Sequence, residues 1–223
     1  MPESALKGHL LALKGLRSQA APERLAALKR WQRERLAATY ADFSAQPRYR
    51  DATRFFLEDL YGPKDFSARD DALLRILPSM AKLLPKSAVE TATLAIELEA
   101  LTEELDHRVA AALAPGPITE ATYAEANRKA RTREARERQV GLILDVGERL
   151  DRLVRKPLVL GTLQLMRHPA RAAGLADLQD FLERGFCAFH AMHGAQEFLA
   201  ALQQREMRIV DEMFADARRA RSA

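Results

Sequence analysis

Between Ser87 and Leu113 the apolar residues recur at helical spacing: Leu94, Leu98, Leu101, Leu105, Val109 and Ala112. At 100° per residue they fall within about 80° of arc, a pattern that a strand of period two cannot produce. The same spacing recurs along the chain. Leu6, Leu10 and Leu13 share a face of a helix over about 3–17, and Leu25, Leu28 and Leu36 step from Pro22 to about Phe43. Val and Ile are scarce, whereas Ala, Leu, Arg and Glu, which lose little freedom in a helix, dominate. The spacing predicts an all-α bundle of about seven to nine helices.

Prolines and glycines mark the joints. Pro47 ends the second helix, and Arg48–Tyr61 forms the next, closed by Gly62 and Pro63. Ser67 and Asp70 resemble a capping box, with Pro78 interrupting the helix they open. Pro115-Gly116-Pro117 is the strongest break, and the one candidate subdomain boundary in a single domain over 1–223. Thr119 should cap a long helix to about Val154, with Ile143, Val146, Gly147 and Leu150 as its stripe. Pro157 starts a short segment, and Pro169 another. A last helix from about Phe186 to Arg219 has so wide an apolar arc that it belongs at or near the bundle's centre.

Composition excludes several classes. The single Cys187 rules out an intramolecular disulfide and a cysteine-only zinc site, and beside Phe186 it reads as a buried small hydrophobe. No apolar run approaches the roughly 20 residues that cross a bilayer, so no membrane span is expected. Leu10, Leu11 and Leu13 are interrupted by Lys7, Lys14 and Gly15, which is not a signal peptide, so the expected home is cytoplasmic. A net charge of +4 from 35 basic and 31 acidic residues signals an ion-paired surface. No phosphate loop, nucleophile elbow or catalytic triad is apparent, so the reading leans away from an enzyme, with no cofactor and no metal.

The most distinctive string is Phe55-Phe56-Leu57-Glu58-Asp59-Leu60-Tyr61. With Phe56 facing inward, Tyr49, Ala52, Thr53 and Leu60 share its face, while Arg54 and Glu58 pair outside. The string resembles the signature of an uncharacterised bacterial family labelled by its FFLEELY motif, with Asp59 in place of the second Glu. That resemblance implies an all-helical protein of unassigned activity and supplies no catalytic residues. Phe55, Tyr61, Lys64 and Phe66 are the candidate surface for gripping a protein partner.

Other residues offer chemistry. Glu104 and His107 have the i,i+3 spacing of di-iron bundles, but His107 falls opposite the apolar stripe and no second pair occurs. His190 and His193 repeat the spacing, with His193 between Phe186 and Phe189 as a core residue and Glu183 or Glu197 as potential co-ligands. Glu206 falls inside the apolar arc of the last helix, with Gln203 and Gln196 nearby. A buried carboxylate needs a partner, and Arg54, Arg75 or Arg167 could supply it. Alternatively Gln203 and Glu206 line an interior polar pocket. Arg128, Lys129, Arg131, Arg133, Arg136 and Arg138 form a basic patch on a helical half with little apolar face, expected to project from the body or lie on its surface. Nucleic acid suits its charge, but the cations wrap around the helix and no aromatics interleave. The sequence therefore points first to an interaction or adaptor protein with a protein partner of unknown identity. A bundle with a ligand or catalytic pocket at Glu206 is the alternative, and weak nucleic-acid binding through 128–138 a further one.

Overall fold

The computed structural model describes residues 2–60, 86–172 and 174–219. Among these the regular elements are all helical. α1 (Pro2–Ser18), α2 (Leu25–Thr39), α3 (Ala41–Ala45) and α4 (Pro47–Phe55) lead into a π-helical turn at Phe56–Leu60. α5 (Lys86–Ala112), α6 (Glu120–Lys129), α7 (Arg133–Val154), α8 (Pro157–Leu165) and α9 (Arg167–Ala172) follow. α10 (Ala176–Ala191) and α11 (Gln196–Arg219) complete the order. The expected Gly62–Pro63 stop, the Ser67–Asp70 cap and the Pro78 break lie outside the described residues, as do Tyr61, Lys64, Phe66 and Arg75.

The all-α architecture stands, and three expected helices are each divided. The segment from Pro22 to Phe43 breaks at Tyr40 into α2 and α3. The segment from Thr119 breaks at Ala130–Thr132, where Arg131 adopts a φ of 51° and the Thr132 hydroxyl donates to Asn127 Oδ1 at 2.8 Å. The segment from Phe186 breaks at His193 and Gly194, with φ of 50° and 123°. Only glycine adopts the latter readily. Side chains hold this last turn: Arg48 donates to the carbonyls of Met192 and Gly194 (2.7 and 3.2 Å), and the Ala195 amide donates to Asp151 Oδ1 (3.0 Å). Thr119 caps α6 as expected, its hydroxyl accepting from the Thr122 amide while Thr122 Oγ1 accepts from the Thr119 amide.

The middle of the bundle belongs to α5, not to the Phe186–Arg219 region. Helices α1, α2, α6 and α7 all pack on α5. It is therefore covered on several sides: Ile96, Ala100, Glu103 and Asp106 are buried, whereas Leu94, Leu98 and Leu101 of the expected stripe are half-buried. Helix α11 lies across α6 and α7 instead. Two apolar clusters meet along it. One gathers Leu36, Tyr40, Phe43, Tyr49, Phe56 and Phe198; the other gathers Leu28, Val109, Tyr123, Val210 and Met213.

Candidate functional site

A small, partly open cavity of about 40 Å³ lies where these clusters meet. Its walls are apolar on the Leu36, Phe56, Val140 and Val210 sides, and polar where Gln32, Arg35, Asp106, Arg136, Gln139 and Glu206 approach. Five elements supply these groups, so the chamber exists only in the assembled bundle. It is polar and large enough for ordered water or a small ion.

The hydrogen bonds around it form two arms. In the first, Gln32 Nε2 donates to Asp106 Oδ1 at 3.0 Å and approaches the Tyr123 hydroxyl at 3.4 Å. Arg136 donates through Nε to Asn127 Oδ1 at 3.1 Å and through Nη1 to Gln139 Oε1 at 2.9 Å. Gln139 in turn donates to Thr102 Oγ1 at 2.7 Å. In the second arm Tyr40 donates its hydroxyl to Glu206 Oε1 at 2.9 Å, and Arg35 Nη2 reaches Glu206 Oε2 at 3.5 Å. Burial pushes the Asp106 carboxyl above the usual aspartate range, against the opposing pull of Arg136 and Gln32. Burial also works to lower the Arg35 pKa, but Glu206, Tyr123 and Glu120 outweigh it and the net shift is upward.

Both guanidinium groups keep unused donors. Arg35 Nε and Nη1 and Arg136 Nη2 are buried and have no hydrogen-bond partner among the described residues. A buried donor left unsatisfied costs about 1–3 kcal/mol, more when charged. Arg35, Ile209 and Met213 also line a second, open cleft of about 850 Å³. That cleft runs between α2, the start of α3, α6 and α11. Arg205 forms one wall, held to both oxygens of Asp42 (2.7 and 2.6 Å) and set over the Phe43 ring. Arg35 thus lines both the wide cleft and the small polar chamber.

The anticipated residues are placed as follows. Glu206 lines the chamber, but its partners are Arg35 and Tyr40; Arg54 lies near Asp51 and Arg167 on Glu183. Gln203 is exposed and is not part of the chamber wall, because it lies 60° round the helix from Glu206, on the solvent side of α11. Of the expectation that 128–138 projects from the body or lies on its surface, the projection is corrected, whereas Lys129, Arg131 and Arg138 do lie exposed on the surface. Arg136 is buried in the chamber wall, Arg128 donates to the Met213 carbonyl, and Lys129 pairs with Glu125. Arg133 pairs with Glu137 and Asp211, and Arg138 with Glu97, while Arg131 is exposed in the α6–α7 turn. The reason is the break at Ala130–Thr132, which turns α7 back onto α5.

Phe55 is also corrected from surface to core, because its ring packs on Phe181 (5.3 Å between centroids) and on Gly185. Cys187 is exposed, since on α10 it points away from buried Phe186. His193 is an exposed turn residue, because the helix that would have buried it ends at Ala191. His107 is not solvent-facing but lies 3.4 Å from Glu103 under the cover of neighbouring helices. Glu183 and Glu197 are engaged by Arg167 and Tyr49 respectively. Among the described residues no group of three His, Cys, Asp or Glu could hold a metal.

Sequence reasoning missed Arg35 and Asp106, and placed Arg136 in a surface patch instead of the chamber wall. All three lie in charge-rich helical stretches where solvent exposure is the ordinary reading, and only Glu206 carried a signal, an acid within an apolar arc. The family described as a domain of unknown function (DUF8198) matches the chain over residues 14–220. No curated protein and no solved structure is significantly similar to it.

Proposed function

Because the chain belongs to this family of unknown function, we propose from its geometry that it is a helical ligand-binding domain, taking a small anionic molecule in the α2–α6–α11 cleft. The observation that carries this is Arg35, a buried guanidinium with two unused donors that lines both cleft and chamber. The cleft's volume falls within the range of small-molecule sites. Arg205 pairs with Asp42 and Arg208 with Glu212, and Glu120 adds an acid to the lining; Arg35 is the cation there that keeps unused donors to meet a carboxylate or phosphate oxygen. Glu206, itself held by the Tyr40 hydroxyl, anchors Arg35 through Nη2. The reading treats 1–223 as one domain, with 115–117 a connector, and keeps the kinship with FFLEELY-motif proteins suggested by Phe55–Tyr61. An adaptor role through that region draws less support, since Phe55 is buried.

The test is thermal unfolding against a panel of small carboxylates and phosphates. A ligand at a hundred times its Kd stabilises by about 2.7 kcal/mol, or roughly 5–11 °C for a chain of this size. Ala121→Trp would fill the exposed side of the cleft without touching the core and should abolish the shift. The double variant Arg35→Met/Glu206→Gln removes both charges together and should do the same. The proposal fails if no compound raises Tm, or if the shift survives both variants.

A further inference from the structure

Helix α8 is built unlike the rest of the surface. Between Lys156 and Arg167 there is no charged residue, and two leucines on one face, Leu158 and Leu165, are 81% and 80% exposed. They stand two turns apart, so they project together. Met166, directly after them, is 44% exposed. Such a paired display of large apolar side chains marks a surface that meets something.

These leucines do nothing for the helix's own attachment. On its inner side the Leu163 carbonyl accepts from Gln179 Nε2 at 2.6 Å, and the following helix is tied by Arg167 to both oxygens of Glu183. Polar ties thus fasten α8 and α9 to α10, and the leucine face is left to water.

Charge indicates the partner. From Arg152 to Ala176 the chain has five cations and no Asp or Glu. Three of the cations have acids from outside this stretch: Arg152 lies 3.6 Å from Glu148, Arg155 pairs with Asp151, and Arg167 with Glu183. Lys156 and Arg171, one before α8 and one within α9, are exposed and make no ion pair within 4 Å among the described residues, although Arg171 lies within the field of Glu183. An apolar face bracketed by exposed cations suits the boundary between anionic headgroups and acyl chains. With nine residues α8 is far short of the roughly 20 needed to span a bilayer, and no described helix is long and apolar enough to cross one.

We propose that α8 and α9 form a peripheral docking face for an anionic lipid surface, with Leu158 and Leu165 entering the acyl boundary and Lys156 and Arg171 meeting lipid phosphates. The experiment is co-sedimentation of the full chain with phosphatidylcholine vesicles containing no or 30 mol% phosphatidylglycerol (about 0 or 0.3 anionic fraction), at low and high salt. Binding should need the anionic lipid and weaken with salt. Leu158→Ser/Leu165→Ser should lower partitioning roughly tenfold or more. Lys156→Glu/Arg171→Glu should lower it at least roughly fivefold for each cation lost. Leu11→Ser, which removes a 52% exposed leucine from α1, should leave it unchanged. All these side chains are exposed, so circular dichroism should show intact helices. The proposal is overturned if the parent ignores anionic vesicles, or if the leucine variant binds like the parent. It is equally overturned if sedimentation equilibrium finds a dimer that the leucine variant dissolves, which would make the face a self-association surface.

Discussion

Replacing Gly185 by alanine should destabilise the protein, although alanine is the better helix former. A Cβ at Gly185 would sit 2.7 Å from Phe55 Cζ and 3.2 Å from both Cε atoms. Ordinary carbon contact begins near 3.5 Å, so the gap between α4 and α10 must widen by about 0.8 Å or the ring must leave its rotamer. The Phe55 ring is buried against Phe181, and a phenyl group has no thin end to swing aside. Overpacking of this kind costs about 1–3 kcal/mol, against about 1 kcal/mol gained in helix propensity. The same substitution at Gly141, mid-helix in α7 with nothing within 4 Å of the added methyl, should stabilise by about 0.5–1 kcal/mol. The gain in helix propensity is common to both, so urea unfolding of the two variants should differ by the packing cost alone, about 1–3 kcal/mol, with Gly185→Ala the less stable. Phe55→Leu should also cost less in the Gly185→Ala background than in the parent, a coupling of about 0.5 kcal/mol or more. If Gly185→Ala is as stable as Gly141→Ala, or the two substitutions simply add, the packing argument is wrong.

Further measurements test other parts of the structure. Thr119→Ala removes the reciprocal cap of α6 and should cost about 1 kcal/mol in urea, with Thr119→Ser within a few tenths of the parent. Arg167 and Gln179 hold the Glu183 carboxyl down at about 2. Its contribution to stability is complete above the ordinary glutamate value of about 4.3 and is lost as pH falls through about 2. Unfolding midpoints at pH 5 and 2.5 should thus differ more for the parent than for Glu183→Gln. Asp106 has the opposite sign. Burial raises its pKa, so its contribution is present below about pH 4 and is lost as pH rises toward the raised value. Asp106→Asn, which can still accept from Gln32, should flatten that decline, and an unchanged slope would place the proton elsewhere.

Much of the helical layout was readable because local rules decide it. Leu6, Leu10 and Leu13 are all buried on α1, and Thr119 caps where its position suggested. The breaks were harder. At Gly194 the glycine was in plain view, but the apolar arc continues across it from Phe186 to Leu199 and periodicity alone joins the two helices. At Arg131 no glycine or proline marks the turn; the left-handed residue is stabilised by Asn127 and Thr132 bonding across it, a pattern that reads equally as helix. The site followed the same division. Glu206 was visible as an acid in an apolar arc, whereas Arg35 and Asp106 become interior only when α2 and α5 come together. Nothing local to Arg35 separates it from Arg30 or Arg33 on the same helix.

The position of α5 has a consequence for synthesis. Helix α1 lays Leu6 and Leu10 against Ile96 of α5, so its docking surface is encoded well after it in the chain. Between the end of α1 and the end of α5 a ribosome must add roughly ninety residues, on the order of 5–18 s at ordinary elongation rates. From the moment α1 leaves the exit tunnel until α5 follows it, the leucine face of α1 lacks its α5 partner. A nascent chain would therefore offer chaperones a defined early target, and a pause placed before α5 would lengthen the exposure without altering any residue of the finished fold.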